Sequence, residues 1–296
     1  MDHAKSDQIT PISVYQLRGG GRSASRTTDR RQAALRWPFG WGGLIPVFLT
    51  VSCLTLGFER AAAAPVACQD ISDGESQYVV CTFDMRQNRR PAELRLFLAG
   101  EDGKPYGGFA ALINALKQRG ETLLFGMNAG MFQTNLRPVG LYVEAHHVIR
   151  RINERGGSGN FHLKPNGIFF FGKHSAGVME TSVFAKSGLK PDFATQSGPM
   201  LVIDGAIHPK IQASGTSQKI RNGVGVREGH LVIFAISEVP VTFYRFASLF
   251  RDRLGCPNAL YLDGSVSSLY LPALDRADGL RPIGPIVGVV ENAARK

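Results

Sequence analysis

Several familiar signatures are missing from this sequence. It has only four cysteines and two tryptophans among 296 residues, and no H-E-x-x-H, G-x-S-x-G or zinc-finger spacing. Their absence argues against a zinc protease, a hydrolase with a nucleophile elbow and a zinc-finger protein. No repeat with a period of about 20–50 residues recurs, which argues against a solenoid or propeller. We therefore expect no metal site and no cofactor.

Long runs of like charge are also missing beyond the first 64 residues. The chain has 34 Lys and Arg against 24 Asp and Glu, a formal charge of +10, and eight of those basic residues lie within 1–64. The remaining excess is spread along the chain, which is not the clustered pattern of a nucleic-acid-binding surface. A diffuse positive charge suits a small anionic ligand instead.

The N-terminal region has the pattern of an export signal. Residues 1–36 are polar and basic, residues 37–58 carry no charge, and a run of small residues follows at 61–67. Basic, apolar and small-residue segments in this order are typical of secretion, and 22 uncharged residues are enough to span a bilayer if the segment is never cleaved. A buried helix of the domain is the alternative. We expect a basic disordered leader over 1–36 and a signal or membrane anchor over 37–64.

The rest of the chain, residues 68–296, is then expected to be one domain outside the cytoplasm. Its location would be periplasmic or extracellular, with 37–58 as an anchor in the inner membrane if the signal is retained. In such an oxidising compartment Cys68 and Cys81 are expected to form a disulfide, the alternative being two buried thiols. Cys256 would remain as a partly buried thiol.

Short apolar runs dominate the mature region and predict a sheet-rich α+β domain with a mixed β core and a few flanking helices. Two stretches have helical spacing, from Phe109 to Gly120 and from Phe246 to Leu254. The predicted strands are Tyr78–Asp84, Leu94–Ala99, Thr122–Met127, Gly140–Val143, Ile168–Phe171, Met200–Ile203, Val224–Val226, Leu231–Ile236, Ala259–Leu262 and Ile286–Val290.

Clusters of Asn, Gly and Ser with single charged residues follow or precede several of these strands. Any one of them could simply be a turn. Five together predict a site for a polar anionic ligand, because Gly lets backbone amides approach and Asn and Ser orient a ligand. The clusters are residues 127–132, 160–167, 196–199, 219–226 and 263–268.

At these clusters the sequence resembles the phosphodiester glycosidase family, and in particular a bacterial exported branch of it. The matching segments are Asn-x-Gly-x-Phe within 127–132, Asn166-Gly167, Arg-x-Gly-Val-Gly from Arg221, and Leu-Asp-Gly from Leu262 to the serine pair at 267–268. The family's usual Asp-Gly-Gly-Gly-Ser-Ser appears here as Asp-Gly-Ser-Val-Ser-Ser. The two larger residues, Ser265 and Val266, are expected to narrow a pocket at this loop.

The resemblance implies hydrolysis of a sugar-1-phosphodiester at the anomeric bond. Asp263 would act as nucleophile or as the base that activates water, and Arg221 would hold the phosphate, with His162 or Lys164 as a second cation. Glu144 and Glu238 are weaker candidates for a second acid. The remaining expected substrate-binding residues are Asn128, Asn166, Ser197, Asn222, Gly264, Ser267 and Ser268.

Other interpretations of these residues stay open. Asp263 could cap a turn through its carboxylate, and Arg221 could be a surface or ion-paired residue. The alternative function is that of a non-catalytic envelope protein that binds a glycan or glycophosphate in the same pocket. Either function implies a sugar-phosphate or glycan as the small-molecule partner, no nucleic acid, and membrane contact only through the N-terminal segment.

Overall fold

A computed structural model describes residues 64–87 and 92–292 of the chain. The predicted leader, 1–36, and the apolar segment, 37–58, lie outside these residues. Over the two described ranges, no helix is both long enough and apolar enough to cross a membrane.

Within the described residues the chain forms 17 strands and three α-helices. The helices are α1 (Phe109–Gln118), α2 (Thr181–Ser187) and α3 (Phe243–Ser248). The strands are β1 (Ala67–Asp73), β2 (Ser76–Asp84), β3 (Ala92–Phe97), β4 (Glu121–Asn128), β5 (Tyr142–Glu144), β6 (His147–Arg150), β7 (Gly167–Phe171), β8 (Ala176–Glu180), β9 (Phe193–Ser197), β10 (Met200–Ile203), β11 (Ala206–Ile207), β12 (Asn222–Arg227), β13 (Leu231–Ser237), β14 (Asn258–Asp263), β15 (Leu269–Leu271), β16 (Arg276–Ala277) and β17 (Ile286–Asn292).

These strands form three sheets. The first has the order β1-β2-β13-β12-β14-β10-β11, the second β16-β15-β4-β17-β3, and the third β6-β5-β9-β7-β8. The α+β class and the sheet-rich domain are confirmed, but the expected mixed pairing is wrong, because each recorded strand pair in the described residues is antiparallel. Parallel neighbours need long crossover connections, whereas hairpins such as β1–β2 and β12–β13 join adjacent strands directly.

Apolar side chains from all three sheets form the main core. It includes Phe83 of β2, Phe125 of β4 and Phe169 of β7, each almost fully buried. Smaller apolar clusters pack each helix against one sheet, with α3 on the first, α1 on the second and α2 on the third. Successive residues of a strand point to opposite faces of its sheet, so one face of each sheet packs on the central core and the other packs on a helix.

Each of the ten predicted strands overlaps an observed strand. The helix predicted from Phe109 is α1, and Gly120 after it has a positive φ of 69°. The second predicted helix begins earlier than expected, as α3, and continues through a π-helical turn over Leu249–Arg253. The Thr242 hydroxyl accepts the Arg245 amide at 3.2 Å and so caps the first turn of α3.

The predicted disulfide between Cys68 and Cys81 is present and joins directly opposed residues of β1 and β2. Since β1 is the edge strand of the first sheet, the bond fastens a strand that pairs on one side only. A loop of this size contributes about 3 kcal/mol in the chain-entropy description.

One edge of the domain gathers the ends of strands from two sheets. In the first sheet β12 begins at Asn222 and β14 ends at Asp263, and these two residues are paired. In the second sheet β4 ends at Asn128, opposite the first residue of β17. Asn128 and Asn222 hydrogen-bond to each other, so the two sheets meet at this edge, which we call the shared edge.

Candidate functional site

Asp263 is the first residue of a polar loop at the shared edge. Its Oδ1 accepts the backbone N–H groups of Gly264 at 2.6 Å and Ser265 at 2.7 Å, and the residue is 8% exposed. Burial raises the pKa of the carboxyl, while the backbone N–H groups of the loop oppose that rise. The carboxylate therefore caps the turn, as the structural interpretation predicted, and its catalytic role stays a prediction.

Two buried asparagine side chains hydrogen-bond to each other and to both ends of this loop. Asn222 Nδ2 donates to Asn128 Oδ1 at 2.9 Å, and that oxygen also accepts the Ser268 amide at 2.9 Å. Asn222 Oδ1 accepts the Asp263 amide at 3.0 Å. Both asparagines are fully buried. In the structure they fix the two ends of the loop, and their contact with a sugar stays a prediction.

Arg221 immediately precedes β12 and is completely buried. Its Nε donates to the Val241 carbonyl at 2.8 Å and its Nη2 to the Ser217 carbonyl at 2.8 Å. The guanidinium also lies 3.7 Å from the ring centroid of Phe243. Burial lowers its pKa. Contact between Arg221 and a phosphate stays a prediction. In this structure the guanidinium is bonded within the protein, next to the site.

Tyr261 connects this buried arginine to the Asp263 loop. Arg221 Nη1 donates to the Tyr261 hydroxyl at 3.1 Å. A Cβ added to Gly264 would lie 1.8 Å from that hydroxyl oxygen, so the loop needs glycine there for this close approach, and a contact of Gly264 with substrate stays a prediction. The Arg221–Tyr261 bond therefore sets the position of the loop backbone beside Asp263.

A cavity of about 580 Å³ opens at the shared edge beside the loop. Ser267 and Ser268, both predicted to bind substrate, lie in its wall. The Ser267 hydroxyl lies 3.0 Å from the Asp263 carbonyl, so the predicted carboxylate residue is directly behind this wall. The complete lining is Ile220, Ser237, Glu238, Ser267, Ser268, Arg276, Ala277, Asp278, Gly279 and Leu280.

The only basic residue in that lining is Arg276, which sequence reasoning missed. Its Nε and Nη2 donate to the Asp278 carboxylate, with Nη2–Oδ2 at 2.9 Å, and its Nη1 donates to Glu238 Oε1. Asp278 Oδ2 also accepts the Leu269 amide at 2.9 Å, which fixes the ion pair to β15. Glu238, predicted as a weaker second acid, does line the cavity. The polar run Asp-Arg-Ala-Asp-Gly at 275–279, soon after the serine pair, was the available signal.

Four other predicted substrate-binding residues have protein partners elsewhere. Asn166 Nδ2 donates to the Phe161 carbonyl at 2.8 Å, and the Ser197 hydroxyl donates to the Leu262 carbonyl at 2.9 Å. His162 contacts the Arg155 carbonyl and Lys164 the Glu154 carbonyl, both through side-chain nitrogens. None of the four lines the cavity of about 580 Å³. Their contact with a substrate stays a prediction.

The two residues that replace family glycines do not narrow this cavity. Neither Ser265 nor Val266 is in its lining. Val266 instead packs against an apolar cluster that contains Phe109 and Ile283. The substitution therefore anchors the loop to the second sheet, and the expected narrowing is wrong for this cavity.

Glu144, the other weaker acid candidate, lies on β5 of the third sheet and does not line the cavity. Its Oε2 and the neighbouring Tyr142 hydroxyl are both buried, and neither has a hydrogen-bond partner of good geometry in the described part of the chain. Burial raises the pKa of Glu144 to about 7. The carboxyl is thus held in an environment that favours its neutral form.

We expect Glu144 to make folding stability depend on pH. With a folded pKa of about 7 and a lower unfolded pKa, its stabilisation is complete below the unfolded value and is lost as pH rises through 7. Glu144→Gln should therefore raise the melting temperature at pH 8 and leave it nearly unchanged at pH 4. Thermal melts across pH check this, with the exposed Glu75→Gln as control. An equal effect of Glu144→Gln at both pH values would contradict the assignment.

Two other chemistries find no support at the site. Among residues 64–87 and 92–292 no group of three or more His, Cys, Asp or Glu side chains is placed to hold a metal ion. Cys256 is buried against Gly225, and burial raises the pKa of its thiol to about 12. A thiol held neutral in this way is a poor nucleophile.

Comparison with known proteins gives relatives of this domain. The sequence profile of the phosphodiester glycosidase family matches residues 121–290. The uncharacterized protein YigE of Escherichia coli is 32% identical over 206 residues, which cover 70% of this chain and 80% of YigE.

A solved structure shares the fold. The catalytic domain of zebrafish N-acetylglucosamine-1-phosphodiester alpha-N-acetylglucosaminidase, auto-inhibited by its pro-peptide, superposes with a TM-score of 0.52 at 16% identity, over 76% of this chain and 81% of that one. The family profile covers the strands that carry Asn128, Asn222, Asp263 and Arg276. By sequence and by fold, this chain belongs to the phosphodiester glycosidase family.

Proposed function

We propose that the domain hydrolyses a sugar-1-phosphodiester at its anomeric bond. One observation carries the proposal: Arg276 lies between two carboxylates in the wall of a cavity, beside the loop that begins with Asp263. A cation for phosphate, carboxylates for bond cleavage at a sugar carbon, and hydroxyls for the sugar are the groups that this reaction needs.

Arg276 is the proposed phosphate ligand. Its side chain is 20% exposed, and three of the five guanidinium N–H groups donate to Asp278 and Glu238. Two N–H groups have no recorded partner among the described residues. Asp278 is held by two bonds from Arg276 and one from the backbone, so a phosphate would displace Glu238 more easily. In this exchange the phosphate takes the place of Glu238 on the guanidinium, and the Glu238 carboxylate is left next to the substrate.

Asp263 is the proposed catalytic carboxylate. With Oδ1 held by two backbone N–H groups, its orientation is fixed before substrate binds. The raised pKa makes the ionised carboxylate more basic than usual. In the reaction the bond from the anomeric carbon to the phosphate oxygen breaks and a bond to a water oxygen forms. The products are the free sugar and a phosphomonoester, which keeps the bridging oxygen.

Ser267 and Ser268 are the proposed partners of the sugar hydroxyls, because both lie in the cavity wall and belong to the same loop as Asp263. Glu238, once released from Arg276, could protonate the departing phosphate oxygen only after taking up a proton from solvent. The reaction depends on that proton less than hydrolysis of an ordinary glycoside does, since the departing phosphomonoester is already the anion of an acidic group.

We also propose that the domain acts outside the cytoplasm. The uncharged segment at 37–58 after a basic flank supports export, and the Cys68–Cys81 disulfide fits an oxidising compartment. Cell fractionation with an antibody to the C-terminal domain checks this. Full-length protein recovered from the cytosol would contradict it.

The function is tested by hydrolysis of a panel of sugar-1-phosphodiesters by the full chain. We expect turnover of at least one, unaffected by chelator, and a KM about 10- to 100-fold higher for Arg276→Ala, because a charge-assisted hydrogen bond contributes about 1.5–3 kcal/mol. Arg276→Lys should recover only part of the loss, since lysine lacks the planar fork. Arg251→Ala, whose recorded partner is its exposed neighbour Asp252, is the control.

Two outcomes of this assay would contradict the proposal. Binding without turnover across the panel would identify the domain as a non-catalytic glycophosphate-binding protein. Unchanged KM in folded Arg276→Ala would show that the phosphate binds elsewhere, and Arg221 or Lys164 would then be the next residues to test.

A further inference from the structure

A second cavity, of about 570 Å³, adjoins the first. Glu238 and Arg276 line both cavities, so their ion pair marks the junction between the two spaces. The rest of the second lining comes from the β1–β2 hairpin, as Asp70, Ile71, Ser72, Gln77 and Val79, and from Leu274.

From this arrangement we infer that the second cavity binds the aglycone, the group on the far side of the phosphate from the sugar. The inference rests on the proposed function. A phosphodiester has two substituents on one anionic phosphate, and the Arg276 cation lines both of these cavities. With phosphate at Arg276 and the sugar beside Ser267 and Ser268, the other substituent enters the second cavity. Each volume lies within the range of about 300–1,000 Å³ that is typical of small-molecule sites.

A third cavity, of about 340 Å³, also adjoins the first but suits the aglycone less well. It shares Ser268, Ala277, Asp278 and Gly279 with the first cavity, and the cation in its lining is Arg281 instead of Arg276. A substituent bonded directly to the phosphate has to begin at the phosphate ligand. The second cavity begins at Arg276 and the third does not.

The lining of the second cavity indicates which aglycones fit. Asp70, Ser72 and Gln77 present a carboxylate, a hydroxyl and an amide, all exposed to the cavity, and Leu274 adds an apolar surface. Hydroxyl groups of a ligand can bond to all three polar groups. Asp70 and Glu238 together repel a second negative charge. The aglycone is therefore a neutral hydroxylated group, such as glycerol or a second sugar, and not a nucleotide or another phosphate.

The disulfide gives this cavity a fixed wall. Cys68 lies two residues before Asp70 on β1, and its bond to Cys81 holds β1 against β2. In addition, the Glu238 amide donates to the Gln77 carbonyl at 2.8 Å. The hairpin and the ion pair are thus linked through the backbone. This link fixes the position of the proposed aglycone site relative to Arg276.

The test compares three substrates of the full chain that share one sugar-1-phosphate and differ in the ester: methyl, glycerol and glycerate. We expect the parent to have a kcat/KM at least tenfold higher for the glycerol ester than for the glycerate ester.

Ser72→Trp fills the cavity from an exposed position and should lower kcat/KM for the glycerol ester at least tenfold while leaving the methyl ester nearly unchanged. Asp70→Asn should raise kcat/KM for the glycerate ester several-fold, and Glu75→Gln in the same hairpin should change none of the three.

A second measurement separates this inference from the proposed function. Calorimetric binding of glycerol phosphate to parent and Ser72→Trp needs no turnover. If no ester is hydrolysed but Ser72→Trp still abolishes glycerol phosphate binding, the cavity assignment holds and the proposed reaction fails. If esters are hydrolysed with no preference between glycerol and methyl, and Ser72→Trp alters neither rate nor binding, the second cavity is not the aglycone site and the inference is wrong.

Discussion

Replacing Arg221 by alanine should lower the free energy of unfolding by about 3 kcal/mol or more, an effect large enough to threaten folding. The change removes three hydrogen bonds from a charged, buried donor and leaves the Val241 and Ser217 carbonyls without it. It also removes the stacking of the guanidinium on Phe243. Urea denaturation of parent and variant measures the difference.

Arg221→Lys should recover little of this loss, because a lysine cannot reach three acceptors in different directions. Arg251→Ala on the surface should be nearly neutral. If Arg221→Ala instead keeps parental stability and loses only phosphate affinity, the arginine acts on the ligand, as the family resemblance implied, and our assignment of a supporting role is wrong.

Asp263→Asn should reduce kcat by about 100-fold or more while ligand binding and folding largely survive. Asparagine keeps an oxygen that can accept the Gly264 and Ser265 amides, so the turn cap remains. It loses the basic, nucleophilic carboxylate oxygen. Asp263→Ala would be a poorer probe, because the loss of the cap could disorder the loop and imitate a catalytic defect.

Steady-state kinetics, calorimetric binding and thermal melts on both proteins check this prediction. Asp252→Asn, at an exposed aspartate that pairs with its neighbour Arg251, is the matched control. Parental turnover by Asp263→Asn would show that Asp263 is a cap only. The catalytic carboxylate would then be Glu238 or Asp278, both of which line the cavity.

The central strands could be predicted because each is a buried apolar run, such as Gly167–Phe171 or Leu231–Ser237. The strands that were missed lack that signal. β6 is largely exposed, with Val148 61% exposed, and β16 is only two residues long. These strands form through pairing with a neighbour, which a local hydrophobic pattern does not encode.

The site was predictable in part for a similar reason. The serine pair at 267–268 follows a recognisable strand, and it does line the cavity. Arg276 was harder to recognise, because its partner Glu238 is 38 residues away in the sequence and the polar run at 275–279 was the only local signal. The burial of Arg221 could not be predicted from the sequence, because two of its hydrogen-bond partners, Val241 and Tyr261, lie 20 and 40 residues away in the chain.

Hydrolysis in water labelled with oxygen-18 tests the central claim most directly. If the domain cleaves its substrate between the anomeric carbon and the phosphate oxygen, the new oxygen enters the sugar and the released phosphomonoester contains none. Mass spectrometry of the phosphomonoester reads this without interference from exchange at the sugar. We expect an unlabelled phosphomonoester and a rate that depends on Asp263 and Arg276. A labelled phosphomonoester would show attack at phosphorus and would contradict the proposed reaction at this site.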